Sequence, residues 1–469
     1  MNKLQNLFKS LCSIALLFSA FAVVAQESTD SVEEVIVTGS YIKGSATDGA
    51  SPVEIIGRDT IEDLGATSVA DITRNISVNS GSENNADSFT QGSTQGTSNI
   101  NLRGLGLSST LVLVDGRRQT IAAGTANDGS VFVDTNAIPV IALERVEVLK
   151  EGAAAVYGSD AVAGVVNYIL RRDFTGLEFN LSQQKTDLGD STDDRVGVIW
   201  GKESGDTNIV VAYSQLDRSP IGGENLTDYS QLAISGFGNS FAVLHAPFFG
   251  GINGGTIGSA LTNPTTEVTS GPYAGTYNLG ENVPDANCVA NAGVLVPNAN
   301  IYGAVPGLGG FNGGQRCGFY YGDRFNLVND EDHKSMYASV KTTLASGINF
   351  ELDVMQTDIS VNDNPQSPSY PALSYLGKPV MPGQAGNPFA LPLLWIGRAL
   401  GSAFPSPLAP RDYANSRMSL GLNGTFTGRM GGPTGFEWDL HYTTSEQDSY
   451  YFQPDTSTSR FDAAVNGTG

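Results

Sequence analysis

NINLRGLGLSSTLVLVDGRRQ (residues 99–119) and, after a polar interlude, IALERVEVLKEGAAAVYGSDAVAGVVNYILRR (residues 141–172) read together as one small, densely turned α/β unit. Thr110 to Val114 is an apolar, β-branched run, and Asp115-Gly116 separates it from Arg117 to Ile121. An Asp-Gly pair between two strand-like runs predicts a hairpin, because both central residues of a type I′ turn need positive φ. Leu143 to Leu149 alternates, with Val146 and Val148 on one face; Glu151 to Tyr157 is a short helical turn stopped by Gly158, and Val165 to Leu170 returns as a strand. Gly104-x-Gly106 does not make a dinucleotide loop, since Ser109 stands where the third glycine belongs and a hairpin follows instead of a helix.

Working toward the N-terminus, Val53 to Ile56 reads as a strand, and Thr60 to Leu64 and Ser68 to Ile76 as two short helices. Ser68 followed by Asp71 resembles a capping box. Ser77 to Ser98 is almost entirely Ser, Asn, Gly, Gln and Thr and reads as a loop, as does Ala122 to Ser130 with its Asn127-Asp128-Gly129. Toward the C-terminus the period changes to two from Leu177 onward. Seven runs alternate apolar with polar residues, such as Ile348, Phe350, Leu352 and Val354 against Asn349, Glu351 and Asp353. Runs of about ten residues, apolar on the outward face, predict antiparallel transmembrane β-barrel strands. The short connections Gly189–Asp193, Glu203–Asp206, Ser346–Gly347 and Arg429–Gly435 contrast with the long ones, Arg218–His333 and Ser360–Asn415, as periplasmic turns contrast with extracellular loops.

The formal charge of −22 excludes a general nucleic-acid binder, which needs clustered Lys and Arg. With 16% charged residues and 56 glycines, the chain is no acidic disordered tail either. Lys3 and Lys9, the apolar Leu11 to Val24 and the small residues ending at Ala25 form a secretory signal, so residues 1–25 are expected to be removed. That apolar run is shorter than the ~20 residues a membrane helix needs, and any span must be made by strands closed into a barrel. In the exported chain Cys288 and Cys317 remain as an even pair, expected to form a disulfide tying one long loop. His333 is a lone imidazole at a strand start, so no metal site is expected. No Ser-His-Asp or paired-carboxylate arrangement stands out, so the chain is not expected to be an enzyme or to carry a cofactor.

Leu102-Arg103-Gly104, Leu113-Val114-Asp115-Gly116, Glu144-Arg145-Val146-Glu147-Val148, Tyr157-Gly158 and Ala163-Gly164-Val165-Val166-Asn167 occur in an order and spacing that resembles the plug domain of TonB-dependent outer-membrane transporters. Three motifs depart from that pattern: Glu151-Gly152 before the Tyr-Gly turn, Ala163-Gly164 before the valines, and Ser77-Val78-Asn79 after the first plug helices. The resemblance implies an α+β plug domain (52–173), preceded by a periplasmic segment (26–51) and followed by antiparallel transmembrane β-barrel strands (174–469). Seven strands against the family's ~22 imply the N-terminal portion of a longer, monomeric barrel.

Glu34, Val35, Ile36, Val37 and Thr38 resemble the TonB box, the segment pulled by TonB, the energy-transducing protein of the inner membrane. An extended β-branched run between flexible flanks suits addition to a partner's sheet edge. Its nearness to the signal cleavage site leaves no room for an extra periplasmic signalling domain. By the same resemblance Arg103 and Arg145 latch the plug to barrel carboxylates, and plug-loop residues Asn84, Asn85, Gln91, Gln95, Asn127 and Asp128 are candidates to face substrate, a solvated linker being the alternative for both loops. Tyr273, Tyr277, Phe311, Tyr320 and Tyr321 of the first long loop stack on ligand or pack the loop itself. The implied activity is active import of a scarce or bulky nutrient across the outer membrane of a Gram-negative bacterium: a metal chelate, oligosaccharide, peptide or cobalamin-like compound. A surface sensor with the same architecture is the alternative, and an exported β-rich enzyme a third reading. The absence of lysine between Lys202 and Lys334 argues against a strongly anionic ferric chelate at the mouth.

Overall fold

A computed structural model describes residues 53–84, 94–188, 191–226, 315–344, 347–365, 406–426, 436–454 and 457–465, with short pieces between 228 and 297 and between 379 and 396. The N-terminal unit is a five-stranded mixed sheet. Strands β1 (Val53–Gly57), β2 (Thr110–Val114), β3 (Arg117–Arg118), β4 (Leu143–Leu149) and β5 (Gly164–Leu170) lie in the order β1-β4-β5-β2-β3. Only β2 and β5 run parallel. All five residues of β2 are buried, which is why it reads as a continuous apolar run. The β2–β3 hairpin turns at Asp115 (φ 50°) and Gly116 (φ 72°), the two positive φ values that its sequence predicts. Gly164 is required where it stands: at φ 141° a Cβ would lie 2.4 Å from the Leu149 carbonyl oxygen.

Helices α1 (Arg58–Asp63) and α2 (Val69–Arg74) cover one face of the sheet, placing Ile61, Val69 and Ile72 in a core with Val146, Val148, Val166 and Tyr168. The Ser68 box forms with aspartate in place of glutamate: Asp71 Oδ2 accepts from the backbone N–H of both Thr67 and Ser68 at 2.8 Å. Helix α3 (Ala154–Tyr157) is one turn and ends at Gly158, φ 100°.

The second unit is a seven-stranded antiparallel meander, each strand paired with its neighbours in sequence. It comprises β6 (Gly176–Lys185), β7 (Thr192–Ser204), β8 (Thr207–Arg218), β9 (Glu331–Leu344), β10 (Ile348–Val361), β11 (Arg411–Phe426) and β12 (Phe436–Tyr451). These are the seven alternating runs of the sequence. One face carries Leu177, Phe179, Leu181, Trp200, Ile209, Met336, Leu440 and Tyr442, all well exposed. The opposite face carries the polar set and buries Ser335, Tyr337, Asp353, Thr357, Asn415 and Arg417 against the plug. Among the described residues the sheet does not close on itself; it is an arc of wall with β6 and β12 at its edges.

Strand alternation puts the strand ends flanking 205–206, 345–347 and 427–435 at one end of the sheet, and those flanking 186–191, 219–330 and 362–410 at the other. The first hairpin is therefore a correction. Short as it is, Gly189–Asp193 belongs to the end of the long connections, because β6 leaves the plug at the opposite end. In the first long connection Cys288 and Cys317 form a disulfide, Cα atoms 5.8 Å apart. Tyr321 packs edge-on between Phe319 and Phe325, so it packs the loop, while Tyr320 is exposed. Tyr277 lies on a short strand, and Tyr273 and Phe311 lie outside the described residues.

Candidate functional site: the plug–wall seam and the plug apex

The plug is fastened to the wall by charge at the end of the short turns. Arg172, two residues past β5, reaches across the seam. Its guanidinium meets both carboxylate oxygens of Asp353, with Nε 3.2 Å from Oδ1, and Nη1 lies 3.2 Å from Glu351 Oε2. On the plug side Nη2 lies 3.2 Å from Asp115 Oδ2, whose other oxygen accepts the Leu170 N–H at 3.0 Å. Tyr337 donates its hydroxyl to Asp353 Oδ1 at 3.2 Å. From β11, Arg417 donates to the carbonyls of Val114 (3.1 Å) and Arg118 (3.3 Å), gripping the β2–β3 hairpin on both sides. Arg117–Asp439, Lys341–Asp173 and Arg171–Glu178 pairs surround this centre.

Burial pushes the Asp115 carboxyl up to about 6; Arg172 opposes the rise and Asp353 adds to it. Burial alone would lower Arg172, but the carboxylates of Asp115 and Asp353 around it raise it instead. The hairpin turn is thereby an electrostatic element as well as a geometric one.

Arg103 and Arg145, the expected latch, make other contacts. Arg103 sits in a tight turn at φ 58° and donates from Nη2 to the Ala163 carbonyl at 3.0 Å; among the described residues no carboxylate lies within 4 Å of it. Arg145 pairs through Nε with Glu147 Oε1 at 2.9 Å, two residues along the same strand and so on the same face. Arg103 and Arg145 thus each have a partner inside the plug. The sequence signal for the observed latch was the Arg171-Arg172 pair ending the last plug strand, opposite the inward acids of β10.

At the other end of the seam the contacts are hydrogen bonds. Gln447 of β12 accepts the Ala123 N–H at 2.7 Å and donates to Asp134 Oδ2 at 2.8 Å, so one wall side chain holds both roots of the loop 122–134. Asp134 also accepts from the N–H of Ser98 and Asn136, yet burial raises its carboxyl to about 6. Gly96 (φ 83°) lies against Val361 and Tyr413 so closely that a Cβ would meet Val361 Cγ2 at 2.8 Å.

The candidate substrate-facing residues divide. Asn127 and Asp128 are exposed at the loop tip, with Asn127 N–H bonded to Glu83 at 2.9 Å and Asp128 Oδ1 accepting the Ser130 N–H at 2.8 Å. Asn84 and Gln95 are corrections: both are buried, at 5% and 3% exposure, and Asn84 Oδ1 accepts from Ser98 Oγ and Asn99 N–H. The Asn84 amide helps build the loop's interior, while Gln95 Oε1 is buried without a hydrogen-bond partner among the described residues. Asn85, Gln91 and the Glu34–Thr38 segment lie outside the described residues.

Between α1–α2 and strands β6–β9 lies a cavity of about 410 Å³, bordered by Arg58, Ala66 and Ser68 of the plug and Arg195, Ser214 and His333 of the wall. His333 Nε2 is 3.1 Å from Glu331 Oε2. Among the described residues no group of three or more His, Cys, Asp or Glu side chains could hold a metal ion.

A family model for the TonB-dependent receptor plug domain matches residues 45–165, which include β1 to β4 and the start of β5. Residues 45–165 are thus similar to a TonB-dependent receptor plug domain. The chain is 30% identical over 165 residues to an iron-regulated outer membrane virulence protein of Vibrio cholerae, a match covering 34% of this chain and 23% of the relative. The matched region thus spans about a quarter of that curated relative's length. Among solved structures it resembles a mutant ferric enterobactin receptor of Pseudomonas aeruginosa in complex with enterobactin: 14% identity, TM-score 0.43, covering 84% of this chain and 41% of that one. It also resembles the unliganded ferric citrate transporter FecA: 15% identity, TM-score 0.37, covering 86% and 49%. The antiparallel arc follows the matched region in the chain, beginning at Gly176.

Proposed function

We propose that this chain is the plug-bearing part of a receptor that imports a ferric chelate across the outer membrane by TonB-dependent transport. The observation that carries the reading is the seating of a plug domain on the polar face of an antiparallel arc whose opposite face is an apolar band suited to lipid. Iron is favoured over an oligosaccharide, peptide or cobalamin because the Vibrio relative is named as iron-regulated. In this reading residues 1–25 are the export signal, 26–51 carry the TonB-box segment Glu34–Thr38, 52–173 form the plug and the remainder begins the barrel. Ligand enters at the end of the long connections, against the exposed tip at Asn127 and Asp128. TonB, recruited to Val35–Thr38, then supplies the force that loosens the seam.

Deleting Glu33–Gly39 from the full-length receptor is expected to abolish uptake while leaving binding at the cell surface intact. Unimpaired uptake in that deletant would refute the TonB mechanism.

A further inference from the structure

The cavity beside α1 and α2 holds one half-buried cation, Arg195, with no direct ion pair among the described residues; the carboxylates of Asp71 and Asp193 act on it only from farther away. Three basic side chains border it, Arg58, Arg195 and His333, against a single acid, Glu62. Glu62 is already held by Arg58 at 2.6 Å, and His333 is bonded to Glu331. Arg195, partly buried on the inner face of β7, donates Nη1 to the Ala66 carbonyl at 2.7 Å, and among the described residues no carboxylate oxygen comes within 4 Å of its guanidinium. Arg58, Arg171, Arg172 and Arg218, also at the plug–wall boundary or on the wall's inner face, each have a carboxylate partner. Arg417 lacks an ion pair too, but both its terminal nitrogens are occupied by carbonyls.

A cation held away from water without an anion is costly, and a planar guanidinium favours two-point pairing with oxyanions. In a chain of net charge −22, this positive group borders the gap between plug and wall.

We propose that this cavity is a holding site for an anionic oxygen group on the imported ligand, a carboxylate, phosphate or hydroxamate, with Arg195 as its counter-ion. This rests on the import reading and deepens it by giving the charge of the passenger. About 410 Å³ lies within the range of small-ligand sites and admits a chelate arm or a small chelate. Ser214 borders the same space and supplies a hydroxyl to one of the group's remaining oxygens, whereas the Ser68 hydroxyl is already donated to Asp71 Oδ2 at 3.1 Å.

The test uses the full-length receptor and two probes. Crystals soaked in sodium selenate, whose selenium scatters anomalously, are expected to show a peak in the cavity within hydrogen-bond reach of Arg195, lost in Arg195→Met. In detergent solution, sodium sulfate is expected to raise the thermal midpoint above that in sodium chloride of equal ionic strength, and this difference should vanish in the variant. Arg195→Gln repeats both measurements if the methionine variant does not fold. No peak in the parent, or a peak that persists without Arg195 (an adventitious ion only), overturns the proposal. So does an equal sulfate response in parent and variant, or a peak with no sulfate response in solution (binding at crystal concentration only). Neither probe involves TonB or uptake, so the site can fail while import stands, and the reverse.

Discussion

Replacing Arg172 with methionine removes the centre of the plug–wall seam and leaves Asp115, Glu351 and Asp353 facing one another. In the parent, the guanidinium lies within about 3.2 Å of all three carboxylates, and each is largely shielded from solvent. Removing one partner of a buried pair typically costs 3–5 kcal/mol, because the remaining charge is left uncompensated. Here Asp115 titrates at about 6 even with Arg172 present, so near neutrality the variant relieves part of the repulsion by taking up a proton there. That lowers the expected loss to about 2–3 kcal/mol, a factor of roughly 30 to 150 in the population of the loosened seam. Amide exchange in the full-length receptor reads this directly. Residues 110–118 and 164–172 should exchange faster by that factor, while the β7–β8 ladder, which Arg172 does not touch, should be unchanged. A triple variant, Arg172→Met with Glu351→Gln and Asp353→Asn, should recover much of the loss, since no carboxylate of the wall is then stranded. Unchanged exchange in Arg172→Met, or no recovery in the triple variant, would refute the assignment of the latch.

Asp134 takes its proton near pH 6 in the folded plug but near the ordinary 3.8 when unfolded, so the folded state binds more protons between those values and stability from this group rises as pH falls. Urea unfolding of Asp134→Asn should therefore show a flatter pH dependence between about pH 6 and pH 4 than the parent; identical slopes would contradict the burial argument. Gly164→Ala should cost more than about 2 kcal/mol, or prevent plug folding, because its Cβ would sit 2.4 Å from the Leu149 carbonyl at φ 141°; a parent-like midpoint in urea would show that the strands can part there. Cys288→Ser opens a loop closed across a separation of 29 residues, and chain entropy predicts a local loss of about 3–4 kcal/mol, read as faster proteolysis between the two positions with the wall strands still protected. Gln447→Leu should release both roots of the loop 122–134, seen as faster exchange at Ala123 with no change at Arg172's hairpin.

The plug was legible because its strands are local statements. A buried apolar pentapeptide, an Asp-Gly turn and a glycine stop at 158 each fix their own backbone, and the chain order of β2, β4 and β5 follows. The wall was legible because period two over ten residues has one meaning when both faces differ in polarity. The latch was not, because an arginine's partner is a tertiary fact: Glu351 and Asp353 look like any inward polar residues until Arg172 is placed between them. Asn84 shows the opposite error. A stretch of Ser, Asn, Gly and Gln can be interior when its amides satisfy one another, so polarity alone does not put a loop in solvent.

Import would place labelled ligand in the periplasm, and its accumulation there is the decisive measurement. Iron-starved cells carrying the full-length receptor, or lacking it, would be given a panel of radioiron-labelled chelates and then fractionated. Label should accumulate in the periplasm with at least one chelate, only when the receptor is present. Binding at the surface with no periplasmic label would contradict import and make the protein a sensor built on the same plug and wall.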